Sequence, residues 1–434
     1  MSVVPGDIDT DSQPPMAIPL RHFVVGFAFL LTAAVVGAGE AFGLVSGMTR
    51  AGYRHLLLAG WVCLTIMGAM TQFVPVWSGV ALHSRRLATA QLWATAAGVT
   101  ALVVAFLSSL QWLFVPAGGL LVCGIWTFVY NLGRTLLAVD RPDVTEQHFL
   151  VALGWFALLM PLGFSLASGL GGWLQLPVAR QQVLSAHVTV AVFGAVLTTV
   201  VGALYQLATM FTQTELHTVD VWLQRVERVT YPVGVALLAG GRLAGVAAVA
   251  RFGGVSLCLG LFAVAVVVGR RLLETRVEWT PMLSRYAVLT VALAVWTVTT
   301  IPPWVDAPLA RAHLLGAEAS LLLVGVVGFV VLGTLYHVVP FIVWVHRYSD
   351  RLGFEQVPMI DDLYDSRLAV ADLSLFVGGL GALSARGLVG MEWLGPVGRL
   401  CLLAGAVVFV TNLLAVLRHH GPDSIPAVVL GDAV

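Results

Sequence analysis

The chain has little charge and no lysine. Its 434 residues include 23 basic residues, all of them arginine, and charged residues make up only 11% of the sequence. An ordinary soluble domain carries about 25% charged residues. Hydrophobic residues make up 59%, which excludes a soluble globular enzyme and a disordered chain. The formal net charge is zero, so nothing favours nucleic acid as a partner. The composition predicts a multi-pass protein surrounded by membrane lipid.

Paired cysteines are also missing. The four cysteines lie singly inside apolar runs, and no C-x-x-C or C-x-x-C-H motif occurs; they are Cys63, Cys123, Cys258 and Cys401. Their spacing argues against a disulfide framework, a zinc ribbon and an iron–sulfur site, and it excludes a covalently attached c-type haem. We interpret all four as small, buried, apolar side chains.

Long hydrophobic runs dominate what is present. A membrane-spanning helix needs about 20 mostly apolar residues. Twelve stretches qualify, and they predict an all-α protein with one transmembrane domain over residues 21–418, between a flexible polar tail at 1–20 and a C-terminal tail at 419–434. The stretches are 21–46, 54–80, 87–110, 112–138, 148–173, 183–211, 229–248, 252–273, 283–304, 310–345, 367–389 and 393–417.

The seventh stretch, 229–248, is the weakest because Arg242 interrupts it. Residues 215–230 carry an apolar face, which predicts a short interfacial helix before it.

Twelve crossings would put both termini on one side of the membrane. Fifteen of the 23 arginines fall on that side and eight on the other. The positive-inside rule then predicts a cell-membrane protein with cytoplasmic termini.

A pattern recurs at the ends of the second, sixth and tenth spans. These ends read GAMTQFVP, GALYQLAT and GTLYHVVP, and their first glycines are Gly68, Gly202 and Gly333. Four spans separate each glycine from the next. The repeat predicts three four-helix units with approximate threefold pseudosymmetry. Their ranges are about 21–138, 148–273 and 283–417.

The same three spans carry histidines near their outer ends. His55 and His187 precede their glycines by 13 and 15 residues, which puts them at about the same depth. His313 precedes its glycine by 20 residues, and Glu318 has the register of His187. An ionisable group in a membrane is costly unless it is paired or liganded. Because imidazole is the usual axial ligand of haem iron, these residues predict a haem or metal site.

Other interpretations of the histidines remain open. Any of the outer histidines could instead be neutral and bonded to a backbone carbonyl or a glutamine across a helix interface. Several further histidines fall at the other ends of the spans and predict interfacial positions. They include His83, His148, His217 and His346.

Two segments carry a resemblance to a known family. GTLYHVVPFIVW at 333–344 resembles the tenth helix of C-family oxidases, and RHLLLAGWVCLTIMGAMTQFVPVWSG at 54–79 resembles a pattern of the haem-binding NnrS family. Together with twelve spans, cytoplasmic termini and four-helix repeats, they make the chain similar to the haem–copper oxidase subunit I superfamily. The resemblance implies a haem-binding protein of electron transport or of nitric oxide and oxygen handling, with a partner redox subunit.

The resemblance also implies roles for individual residues. His55 and His313 would hold a b-type haem, and His187 with Glu318 would form a second metal or haem site. The family's helix 10 carries H-x-H, whereas Arg311 stands in the first of these places here, and 229–248 has no histidine to bind copper. Copper is therefore not expected, nor is ordinary oxygen or nitric oxide reduction. The chain would be a divergent relative whose catalytic activity is left open.

Two alternatives need no haem. Pseudosymmetric repeats with buried polar groups also suit a proton- or ion-coupled transporter, whose ionic groups would be Glu40, His187, Glu318 and His337. The other alternative is a non-catalytic membrane subunit that acts as a scaffold and has lost its ligands.

Overall fold

A computed structural model describes residues 14–310, 317–421 and 423–431, with no account of the side chains at 317 and 318. Within these ranges the chain is helical, with no strand. Twelve long helices follow one another: α1 Ala17–Ala41, α2 Thr49–Ser78, α3 Arg85–Ser108, α4 Gln111–Leu136, α5 Val144–Leu170, α6 Arg180–Thr212, α7 Thr218–Ala244, α8 Ala247–Leu273, α9 Pro281–Asp306, α10 Leu321–Arg351, α11 Ser366–Val389 and α12 Leu394–His420. A short helix, α13 (Ile425–Leu430), ends the described chain.

Eleven of these helices are long and apolar enough to cross a membrane. The other is α7, which the sequence analysis divided into an interfacial helix and a seventh span. That division was wrong, because one continuous helix covers Thr218–Ala244. The helix continues although it contains charged residues, because these are buried against neighbouring helices; they are Asp220, Glu227 and Arg242.

Three helices form the interior of the bundle. Between 78% and 83% of the most apolar stretch of α2, α6 and α10 is buried, against 28–61% in the other eight candidate spans. Each of the three contains eight residues of π-helix, a form that is uncommon and often occurs near functional sites. The π-helical segments are Leu56–Cys63, Val190–Leu197 and Leu321–Gly328. Each begins twelve residues before the glycine that the sequence repeat singled out.

These glycines are points of close helix contact. A Cβ atom at Gly68 or Gly202 would lie 2.6 Å from a Cβ atom of the preceding helix, and one at Gly333 would lie 3.1 Å away. The helices could not approach this closely around a larger residue. The facing residues on α1, α5 and α9 are His22, His148 and Arg285.

A second glycine lies eight residues before each of the first, inside the π-helical segment. On the neighbouring helix it faces the residue seven positions after the one that the first glycine faces. A Cβ atom added at this second glycine would lie 2.6–2.9 Å from that residue. The three pairs are Gly60 with Phe29, Gly194 with Trp155, and Gly325 with Ala292. The same two-point contact between consecutive helices therefore occurs three times in the chain.

The helices pack in a closed sequence. Helices α3 and α4, α7 and α8, and α11 and α12 form close antiparallel pairs. Helix α4 packs against α5, α8 against α9, and α12 returns to pack against α1.

Both described ends of the chain lie on one face, which we call the terminal face. The Arg21 side chain near the start of α1 donates from Nε to the Val428 carbonyl at 3.0 Å and also bonds the Gly431 carbonyl. Part of the predicted C-terminal tail is thus the helix α13, which packs against α1.

Candidate functional site

A cavity of about 860 Å³ opens within the bundle, in the half away from the terminal face. Its size is that of a pocket for a cofactor or other organic ligand. Helices α2, α4, α5 and α6 form most of its wall, with smaller contributions from α3, α7 and α10. The lining is mainly apolar and includes Phe106, Phe114, Phe156, Leu159, Met160 and Phe164.

His55 and His187 both line this cavity. Their ring centres are 6.4 Å apart, and the ring planes are inclined by 21°. Each lies just before the π-helical segment of its helix, so the helices that the repeat relates bring the two rings together. The structure thus places the outer histidines of α2 and α6 beside each other, at the similar depth expected from their register.

The nitrogen atoms of these rings have different surroundings. Nδ1 of His55 lies 2.8 Å from the Ala51 carbonyl, to which it donates. A histidine held in this way presents Nε2 as the nitrogen that can bind a metal ion. Nδ1 of His187 is buried and has no hydrogen-bond partner among the described residues. A buried polar atom without a partner is costly, so a ligand or water is expected there.

The spacing of the two rings fits a shared metal ion. An imidazole nitrogen bonds a metal ion at about 2 Å and lies about 1.1 Å from its ring centre, so two imidazoles that share one ion can have centres about 6.2 Å apart. The observed 6.4 Å is close to this distance. His55 and His187 are therefore the residues that could bind the iron of a haem, and the apolar lining of the cavity would contact the bound group.

One end of the cavity is lined by arginines, in contrast to its apolar wall. Arg50 and Arg54 lie in the first turns of α2, and Arg180 begins α6. Arg50 also pairs with Glu40, with 3.1 Å between Nε and the carboxylate. Guanidinium groups bind carboxylates well, including through paired hydrogen bonds. The cavity can therefore take an apolar molecule that carries an acidic group.

None of the other predicted haem or metal ligands has a described contact with this cavity. His313 lies outside the described residues. Glu318 lies in the helical turn Ala317–Ser320 directly before α10, but its side chain is outside the described part of the chain. Their roles stay predictions. His337 lies on α10, with its ring 4.4 Å from that of Phe211.

Arg242, which in the sequence only interrupts an apolar stretch, has a buried structural role. Arg242 donates to Thr189 Oγ1 and to the carbonyls of Pro308 and Ala310, all at 3.1 Å. Its guanidinium lies over the Trp304 ring, 4.9 Å from the centroid. It thereby joins α6 and α7 to the end of α9 beside the cavity.

His148, which the sequence predicts at an interfacial position, lies near the start of α5 with its side chain buried next to Glu227. A second buried pair joins Arg285 to Asp372. Asp372 stands out in the sequence as a carboxylate in an apolar run, whereas Glu227 has charged neighbours in the sequence and gives no such signal. A single sequence does not show which basic residue pairs with each of these two carboxylates.

Comparison with known proteins adds no relative. No family model matches the chain, and no curated protein is significantly similar to it. The resemblance to the oxidase superfamily therefore rests on the residues quoted above. In the ranges that the structure describes, no group of three or more histidine, cysteine or acidic residues comes together as a metal site.

Proposed function

We propose that the chain is a haem-binding integral membrane protein that resembles subunit I of the haem–copper oxidases. The observation that carries the proposal is the pair formed by His55 and His187, with ring centres 6.4 Å apart in the wall of a largely apolar cavity. A b-type haem would bind through these two imidazoles. This pairing differs from the predicted pairing of His55 with His313.

The residues around the pair have distinct tasks in this proposal. The Ala51 carbonyl orients the His55 ring through Nδ1. Phe106, Phe156 and their apolar neighbours exclude water from the ligand faces, and the arginines at the cavity end bind the acidic edge of the ligand. Haem supplies one-electron redox chemistry when it is bound. If His55 and His187 both bound the haem, they would favour electron transfer over binding of nitric oxide or oxygen.

The proposed architecture has twelve crossings, with α7 as the least apolar of them. The three recurring glycine contacts and the closed helix packing support three units with threefold pseudosymmetry. The excess of arginine on the terminal face supports cytoplasmic termini in the cell membrane. A redox partner subunit would bring electrons to the haem.

The test is the visible spectrum of the purified protein. We expect a b-type spectrum in the dithionite-reduced minus oxidised difference, and a haem content near one per chain in the pyridine haemochrome assay. His55→Ala and His187→Ala should each lower the haem content strongly, because one axial ligand is lost.

His346→Ala is the matched control. Its Nδ1 also bonds a carbonyl four residues earlier, at 2.9 Å from Ile342, but it lies far along α10 from the cavity. It should leave the haem content unchanged. A colourless protein after expression with added haem would contradict the proposal and leave the scaffold and transporter alternatives.

A further inference from the structure

A second polar centre lies buried between α5, α6 and α7, in the half of the bundle next to the terminal face. At its middle is the Glu227 carboxylate, which is fully buried. Nε2 of His148 lies 3.2 Å from Oε2 and 3.3 Å from Oε1 of this carboxylate. The Tyr205 hydroxyl donates to Oε2 at 2.9 Å. All three side chains are more than nine-tenths buried.

The hydrogen bonds of His148 fix how many protons this centre holds. Nδ1 of His148 lies 2.6 Å from the Val144 carbonyl, which can only accept, so Nδ1 carries a hydrogen. Nε2 faces the two carboxylate oxygens, and a contact of this kind needs a hydrogen between them. The hydrogen is on Nε2 beside a carboxylate, or on the carboxyl group beside a neutral imidazole. In either form the pair holds one proton beyond the Nδ1 hydrogen.

The next four-helix unit, which contains α9, α10 and α11, has a similar arrangement in which an arginine takes the place of the histidine. Arg285 on α9 pairs with Asp372 on α11, and Tyr336 on α10 bonds the same carboxylate. Tyr205 and Tyr336 each lie three residues after their repeat glycine, and the two basic residues each face that glycine. An arginine keeps its proton at any ordinary pH, whereas a histidine exchanges its proton near neutrality. A fixed charge is therefore enough to hold such helices together, and the histidine adds an exchangeable proton.

The pair is near the water at the terminal face. His148 lies four residues after the start of α5, which is about 6 Å along the helix axis. The other charged or titratable groups on the surrounding elements have other contacts. Glu146 bonds Ser78, Arg228 bonds Gln147, Tyr231 bonds the Phe193 carbonyl, Asp220 pairs with two arginines of α8, and His337 packs on phenylalanine rings.

We propose that His148, Glu227 and Tyr205 form a proton-binding site that exchanges one proton with water at the terminal face. In the loaded form the proton lies between Nε2 and the carboxylate. On release it passes to water, and the neutral imidazole and the carboxylate remain. The Tyr205 hydroxyl then continues to donate to Oε2 and stabilises the charge left on the carboxylate.

The site can be tested by pH-dependent infrared difference spectroscopy on the full chain in lipid nanodiscs. In the wild-type protein we expect imidazole, carboxyl and tyrosine bands to change together at one pH midpoint. The variant His148→Arg would combine an arginine, a carboxylate and a tyrosine, like Arg285, Asp372 and Tyr336 in the next four-helix unit, so it should fold. Its titration should lack the one exchangeable proton of the site and the change in the tyrosine band that accompanies it. His346→Ala is the control: it removes an imidazole outside the site, so it loses the bands of that ring but should keep the coupled carboxyl and tyrosine changes. Equal titration of wild type and His148→Arg would overturn the proposal.

Tyr205→Phe provides a second test if the arginine variant does not fold. It removes one hydroxyl without adding volume, and it should shift the midpoint of the carboxyl and imidazole bands upward in pH, because the released state loses a donor. An unchanged midpoint would also overturn the proposal. The titration needs no haem, so its result is separate from that of the haem assay.

Discussion

Replacing Asp372 by alanine should destabilise the protein more than any surface ion-pair substitution. The Asp372 carboxylate accepts from Arg285 and from the Tyr336 hydroxyl, and it is fully buried. Asn412 on α12 donates to the same hydroxyl at 3.1 Å. The network therefore joins α9, α10, α11 and α12, and its loss affects four helices at once.

The size of the effect follows from the charge that is left behind. Removal of one partner from a buried ion pair costs about 3–5 kcal/mol, because the other charge stays buried without compensation. Arg285 would keep its bond to the Ala369 carbonyl at 2.8 Å and its place over the Tyr336 ring at 4.3 Å. We therefore expect a loss of about 3 kcal/mol in the free energy of unfolding, at the lower end of that range.

The measurement is reversible unfolding in mixed micelles, followed by tryptophan fluorescence. The matched control is the pair of Arg386 and Glu392, whose side chains are 49% and 78% exposed. Glu392→Ala should cost less than about 1 kcal/mol, because solvent screens an exposed pair. The double variant Arg285→Met with Asp372→Leu should recover most of the loss, since no charge is then buried alone. Equal costs for Asp372→Ala and Glu392→Ala would refute the reasoning.

Three other substitutions test helix contacts and the cavity. Gly202→Ala should cost about 1–3 kcal/mol in thermal unfolding, because its Cβ would meet that of His148 at 2.6 Å, whereas Gly240→Ala has open space and should be neutral or stabilising. Gly163→Leu should lower haem content without loss of folded protein, because its Cβ would lie 3.1 Å from the ring of the α6 histidine; unchanged content would argue against this cavity. Arg21→Ala should expose α13 to limited proteolysis, and equal protection would show that other contacts hold that helix.

Composition and local pattern were enough to predict the class of protein and most of its helices. The scarcity of charge and the long apolar runs determine a helical membrane protein, because backbone polar groups in lipid must be bonded within each segment. The sequence also showed the recurring glycines as a repeat, and the structure places all three at points of close helix contact. Only glycine leaves room for a helix that passes so near.

The partners of the ionisable residues depended on tertiary structure. The sequence could list His55, His187 and Glu318 as costly groups in a membrane, but it could not say which side chains would meet. His55 lies beside His187, and His148 is buried against Glu227, because helices far apart in the chain pack side by side. Helical periodicity defines a face of one helix, and only the packing of all helices decides what that face contacts.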